Sequence, residues 1–136
     1  MQVLSVAVTP DEKVLVCNRT ACVVKAFTKN GIALFSFGSE GAGGHGLLLR
    51  PCDIAASVSG LLYVCDQGSH SVEIFSALGV YIGSFGGQGG EHGKLEKPAG
   101  VAVGPRGEVV VCDTGNRRVQ VCLFNVLVAL DCTGGT

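Results

Sequence analysis

Short apolar runs of three to five residues, each closed off by Gly, Pro, Asn, Asp or Thr, fill most of this chain, and none is sustained with the period of an amphipathic helix. Val6–Val8, Val14–Cys17, Val23–Phe27 and Ile32–Phe35 are β-branched or aromatic-rich. The text between them, Thr-Pro-Asp-Glu, Asn-Arg-Thr and Thr-Lys-Asn-Gly, suits tight reversals. The same alternation predicts strands over Ile54–Ala56, Leu61–Cys65, Val72–Phe75 and Val80–Ser84, with Ala77-Leu78-Gly79 as the last turn. A third set follows over Val101–Val103, Val109–Cys112, Val119–Cys122 and Leu127–Leu130. Three units of four short antiparallel strands are expected, with essentially no helix.

The units are copies of one another. VAVTPDEKVLVCNRTACVVKAF from Val6 returns as IAASVSGLLYVCDQGSHSVEIF from Ile54 and as VAVGPRGEVVVCDTGNRRVQVC from Val101. Cys17, Cys65 and Cys112 mark the same point 48 and then 47 residues apart, a period that belongs to propeller blades or arrays. The connecting text repeats too: Phe37-Gly38 returns as Phe85-Gly86, and GGHGLLLRP (Gly43–Pro51) as GEHGKLEKP (Gly90–Pro98). The one-residue change of period falls inside this linker, where insertions are tolerated.

Composition narrows the reading. With 21 Gly in 136 residues, 47% hydrophobic content and 15% charge, the chain is globular and not disordered. A net charge of −1 exerts no bulk pull on nucleic acid or acidic membrane. The start, MQVLSVAVTP, lacks the basic region of a signal peptide, no apolar run approaches a membrane span, and the tail DCTGGT is not a prenylation box. A cytoplasmic chain without membrane contact is expected. Seven cysteines include no C-x-x-C pair, so no zinc knuckle or redox motif is indicated, and reduced thiols are the simplest expectation. The recurring cysteine reads as a small apolar group where units pack.

The stretch P-x-G-V-A-V followed by G-x-V-V-V-C-D-T-G-N-R-R-V-Q-V, Pro98 to Val121, resembles the NHL repeat, and FGGQGGEHGKLEKP resembles its inter-repeat linker. The likeness extends from about Val6 to Leu130 and is weakest in the first copy, where Asn18 replaces the Asp found at Asp66 and Asp113. The resemblance implies an all-β, partial β-propeller of three four-stranded antiparallel blades, six-bladed when complete, with blades near 6–36, 54–84 and 101–130 in one NHL-repeat region over 1–136. It also implies a non-enzymatic protein-interaction module of the kind found in TRIM-type ubiquitin ligases. The family further contains RNA-binding propellers and a metal-dependent amidating lyase, which supply the alternative readings. Three blades do not close a six-bladed ring. Further blades of a longer chain, or self-association of two chains through open blade edges, would complete it.

A four-strand meander puts the loop between strands two and three on the same face as the linker to the next blade. That face collects Arg19, Gln67, His70, Asn116 and Arg117 from the loops and His45, Arg50, His92 and Lys97 from the linkers, with Arg118 as a further cation. These are the candidate binding residues. Asp53, Asp66, Glu91 and Glu96 are expected close enough to cancel much of the positive charge, and no aromatic residue stands among the loops to stack a base, which favours protein over RNA. His45 and His92 occupy one motif position, but two histidines fall short of a metal site, so no metal, cofactor or catalytic residue is expected. Asp66 and Asp113 are expected to accept hydrogen bonds from backbone or from side chains such as Arg118.

Overall fold

A computed structural model of the chain describes residues 3–41, 45–123 and 128–130. The expected units appear as three four-stranded antiparallel meanders. The first runs β1 (Val3–Val8), β2 (Val14–Asn18), β3 (Val23–Phe27) and β4 (Ala33–Phe37). After a linker holding β5 (Ser39–Glu40) and β6 (Leu47–Leu48), the second runs β7 (Pro51–Ala56), β8 (Leu62–Asp66), β9 (Ser71–Phe75) and β10 (Tyr81–Gly86). The third runs β11 (Gly100–Val103), β12 (Glu108–Asp113), β13 (Arg118–Leu123) and β14 (Val128–Leu130). Each sheet contains its own first and fourth strands. The single helical turn among the described residues is 3₁₀, over Thr114–Asn116. It departs from the all-strand expectation because the third repeat turns there through Thr-Gly-Asn. Leu127, the expected start of the last strand, lies outside the described residues.

Side-chain alternation stacks the sheets face to face. Leu15, Cys17, Val24 and Ala26 of the first sheet pack on Ile54, Leu62, Val64 and Phe75 of the second. The opposite side of the second sheet, Tyr63, Cys65, Val72 and Ile74, packs on Val101, Val109, Val111 and Cys122 of the third. The first interface is the more aromatic: Phe37 lies 4.5 Å from Phe75, ring centre to ring centre, and Tyr81 meets Phe75 edge-on. Innermost strands β1, β7 and β11 run side by side. Asp53 ties them together, accepting hydrogen bonds from the Ser5 hydroxyl and from the Val101 N–H at 2.9 Å.

Two faces are left uncovered. On the outer side of the first sheet Val6 is 62% exposed, whereas its counterparts Ile54 and Val101 are 4% and 8% exposed. On the outer side of the third sheet Cys112 is exposed, although Cys17 and Cys65 at the same repeat position are fully buried. The recurring cysteine therefore packs between sheets in two copies only. In the third copy its side chain points away from the second sheet, and no described sheet follows to cover it.

The linkers act as plugs. Leu48 and Leu95, equivalent residues of the G-x-L-x-[RK]-P motif, are buried in the first and second interfaces, each contributing about 1.5–3 kcal/mol. Each leucine is seated by a short parallel pairing, Glu40 with Leu48 and Gln88 with Leu95. The glycine after each Phe makes room for it. A Cβ at Gly38 or Gly86 would lie 2.8 Å from the Leu48 or Leu95 Cδ1.

Candidate recognition face

The loop from the second to the third strand of each meander and the linker into that meander share one end of the stack. In the second unit the Gln67 N–H donates to the Arg50 carbonyl at 3.0 Å, joining loop to linker. Asp66, fully buried at the end of β8, accepts the Leu49 N–H at 2.9 Å and the Arg50 N–H at 2.7 Å. In the third unit the equivalent Asp113 accepts the Glu96 N–H at 2.7 Å, Arg118 Nε at 2.7 Å, Asn116 Nδ2 at 2.9 Å and Gln120 Nε2 at 3.1 Å. Both aspartates thus fix the linker to the strand end, as their position in the repeat suggests. In the first unit the equivalent Asn18 accepts the nearby Ala21 N–H at 3.2 Å.

The loop ends in a left-handed residue at one repeat position, with φ +56° at Cys22, +52° at His70 and +54° at Arg117. Non-glycine residues adopt this conformation at a cost and hold it only when surrounding contacts enforce it. Here those contacts are short backbone closures, Cys22 N–H to the Arg19 carbonyl, His70 N–H to Gln67 and Arg117 N–H to Thr114.

The candidate residues divide into two groups. Arg50, Lys97 and Arg117 are exposed and Arg19 is half-buried, so four cations stand on this end. His92 is also exposed. His70 and Asn116, by contrast, serve as ties. The Lys97 N–H donates to His70 Nδ1 at 3.0 Å, so that nitrogen is an acceptor and its 3.3 Å approach to Glu96 is not an ion pair. Asn116 Nδ2 donates to the Gly89 carbonyl at 2.8 Å. His45, at φ +54°, is exposed with its ring 6.5 Å from that of Tyr81 on the second sheet.

Two expectations about charge are corrected, those for Arg118 as a further cation and for Asp53. Arg118 pairs with Asp113, as expected, and is thereby withdrawn from the cationic face: it also donates from Nη1 to the Gly90 carbonyl and from Nη2 to the Glu91 and Lys94 carbonyls, at 2.8–2.9 Å. Asp53 does not offset the loop cations, because it lies between the inner strands. Asp66, buried at the loop end, lies against the linker amides of Leu49 and Arg50, close to the cations as expected, and Glu40, Glu91 and Glu96 are further acids of the linkers. At the opposite end Asp11 pairs with Lys13 and Glu12 with Lys29 at the surface, contributing little. The Thr9 hydroxyl and Lys13 hold the Asp11 carboxyl below its ordinary range.

Among the described residues no group of three or more His, Cys, Asp or Glu is arranged to hold a metal ion. The six described cysteines are free thiols. Burial pushes the Cys17 thiol up to about 12 and the Cys122 thiol up to about 11, which makes both poor nucleophiles. No described helix is long and apolar enough to cross a membrane.

Solved structures similar to this arrangement include U3-55K, with a TM-score of 0.78 and 16% identity over 99% of this chain and 40% of that one. Hydrazine synthase of Kuenenia stuttgartiensis aligns with a TM-score of 0.74 and 16% identity over 96% of this chain and 35% of that one. A streptogramin B lyase aligns with a TM-score of 0.71 and 12% identity over 94% and 39%. The chain spans well under half the length of each, and at these identities the likeness is one of fold, a β-propeller. No curated protein matches the sequence. The NHL repeat family matches residues 95–122, the segment from the plug Leu95 through the Asp113–Arg118 pair to β13. The chain therefore carries an NHL repeat within three sheets of a β-propeller.

Proposed function

We propose that this chain is a non-enzymatic protein-interaction module, a single NHL-repeat region over 1–136 that recognises its partner with the loop end of the blades. The observation that carries this reading is the tethering of that end. Loops held at Cys22, His70 and Arg117 and tied to linkers through Gln67, His70 and Asn116 present Arg19, Arg50, Lys97 and Arg117 on a fixed scaffold. His45 and His92 complete the face. Rigid presentation lowers the entropy lost on binding, and charged groups steer association. In a longer parent this face would select the target of a TRIM-like, cytoplasmic ubiquitin-pathway ligase, with transfer chemistry supplied by another domain.

RNA recognition is the second reading, favoured by the same four cations. Affinity capture with the purified chain, followed by titration of the partner at several salt concentrations, separates the two. For a protein partner, Arg50→Ala/Lys97→Ala/Arg117→Ala is expected to weaken binding about tenfold or more, through mainly local contacts. For RNA, affinity falls steeply with salt, and each lost phosphate contact lowers the log–log slope by about one. Unchanged affinity of the triple variant for every captured partner contradicts the proposed face.

A further inference from the structure

The second repeat carries a cysteine that the other two lack. Aligned on Cys17, Cys65 and Cys112, Cys52 stands where the first repeat has Leu4 and the third has Ala99. Cys52 and Cys65 are 13 residues apart in sequence, outside any C-x-x-C spacing, but the antiparallel pairing of β7 with β8 brings them together. The ladder shifts register between Pro51 and Asp53, so Cys52 sits at that irregular point, opposite the step from Cys65 to Asp66. Both side chains face the third sheet: Cys65 belongs to the second interface, and half-buried Cys52 packs against it. The Cys52 thiol donates to the Cys65 carbonyl at 3.4 Å and to the Pro98 carbonyl at 3.5 Å. A hydrogen bond between the two thiols holds the Cys52 thiol below its ordinary range and, with burial, raises that of Cys65.

We propose that Cys52 and Cys65 are a peroxide-responsive dithiol, which closes to a disulfide across β7 and β8 when hydrogen peroxide reaches Cys52. Paired antiparallel strands hold facing Cα atoms about 4.5–5.5 Å apart, inside the separation a disulfide spans. Cys52 is the sulfur that solvent reaches and the one that ionises more readily, so it reacts first. Its thiolate attacks one peroxide oxygen, the O–O bond breaks, and the leaving hydroxide takes a proton to become water, which leaves Cys52 as a sulfenic acid. The Cys65 sulfur then attacks Cys52 Sγ; the S–O bond breaks, and the hydroxyl leaves as water with the Cys65 proton. Two thiols lose two electrons and one peroxide is reduced to two waters. Fully buried Cys65 needs no route to solvent, because its target is the neighbouring sulfur. Closure also removes the thiol proton that reaches the Pro98 carbonyl, so the linker end beside Lys97 loses that tie. Neither the pair nor its oxidation depends on what the loop end binds.

The test treats the reduced, folded chain at low concentration with hydrogen peroxide, blocks the remaining thiols by alkylation in urea, and reads the peptides by mass spectrometry. The wild-type chain is expected to yield a Cys52–Cys65 cross-linked peptide, lighter by two hydrogens, that dithiothreitol removes. Cys52→Ser lacks the sulfur that reacts first and should leave Cys65 an unmodified thiol after the same exposure. The wild-type peptide map reads the pair directly, so it decides the matter even if that variant fails to fold. Cross-linking is also expected to shift the Ala99 amide in NMR spectra, because that N–H shares a peptide group with the Pro98 carbonyl. A sulfinic acid at Cys52 with Cys65 still a free thiol, a disulfide from either residue to another cysteine, or a cross-link that forms only after urea unfolding overturns the proposal. An Ala99 amide that stays in place as the cross-link forms contradicts the release of the linker.

Discussion

Asp113→Ala is expected to lower stability by about 3–5 kcal/mol and to loosen the linker over residues 88–97 before the rest of the chain. The carboxylate is fully buried and accepts from Arg118, Asn116, Gln120 and the Glu96 N–H. Truncation leaves a partly buried guanidinium without its counter-charge and two side-chain amides short of an acceptor. Carbonyls of Gly90, Glu91 and Lys94 still hold Arg118, which limits the loss. Asp66→Ala is expected to cost less, since Asp66 accepts two backbone N–H groups and no arginine. Urea unfolding gives the magnitude and amide hydrogen exchange the location. Equal losses at the two aspartates would show that the Arg118 contacts add nothing.

Gly86→Val is expected to cost about 2–6 kcal/mol, combining backbone strain with overpacking. Gly86 has φ +108°, and an added Cβ would lie 2.8 Å from Leu95 Cδ1, 3.0 Å from the His70 carbonyl oxygen and 3.2 Å from the Ser71 Cα. The leucine tip can turn away; the backbone atoms cannot without moving the His70 loop. Gly31→Val separates the two causes, because Gly31 is also left-handed at φ +87° but nothing lies within 4 Å of its Cβ position. It should show the conformational cost alone, about 1–3 kcal/mol. A Gly31 variant as unstable as the Gly86 variant in thermal melts would remove the plug from the explanation.

The four-strand units were legible because short β-branched runs between turn residues admit few other folds, and because three copies average out local noise. Asp66 and Asp113 were legible for the same reason, as polar residues recurring at one strand end. The plugs were harder: Leu48 and Leu95 are lone apolar residues in Gly-rich text, and the pairings that seat them are too short to leave a strand pattern. Nothing in the residue types of Lys97 or Arg117 signals a positive φ, since tertiary contacts impose it on side chains that do not prefer it. Arg118 is a cation by residue type, but the meander register places it directly opposite Asp113, which is why the expected pairing forms. Asp53 shows the converse, an acid assigned to the loop surface that instead joins inner strands, because its partners come from two other repeats.

The central structural claim is three stacked blades with an uncovered last face, and Cys17, Cys65 and Cys112 test it from within. They occupy one repeat position, yet of the three only Cys112 is exposed; burial raises the thiol pKa of Cys17, and a hydrogen bond with the Cys52 thiol, together with burial, raises that of Cys65. Mild alkylation of the folded chain at low concentration near pH 8, read by peptide mass spectrometry, should label Cys112 readily and Cys17 and Cys65 only after urea unfolding. Equal native labelling of the three, or protection of Cys112 together with reaction at Cys65, would contradict the stacked arrangement.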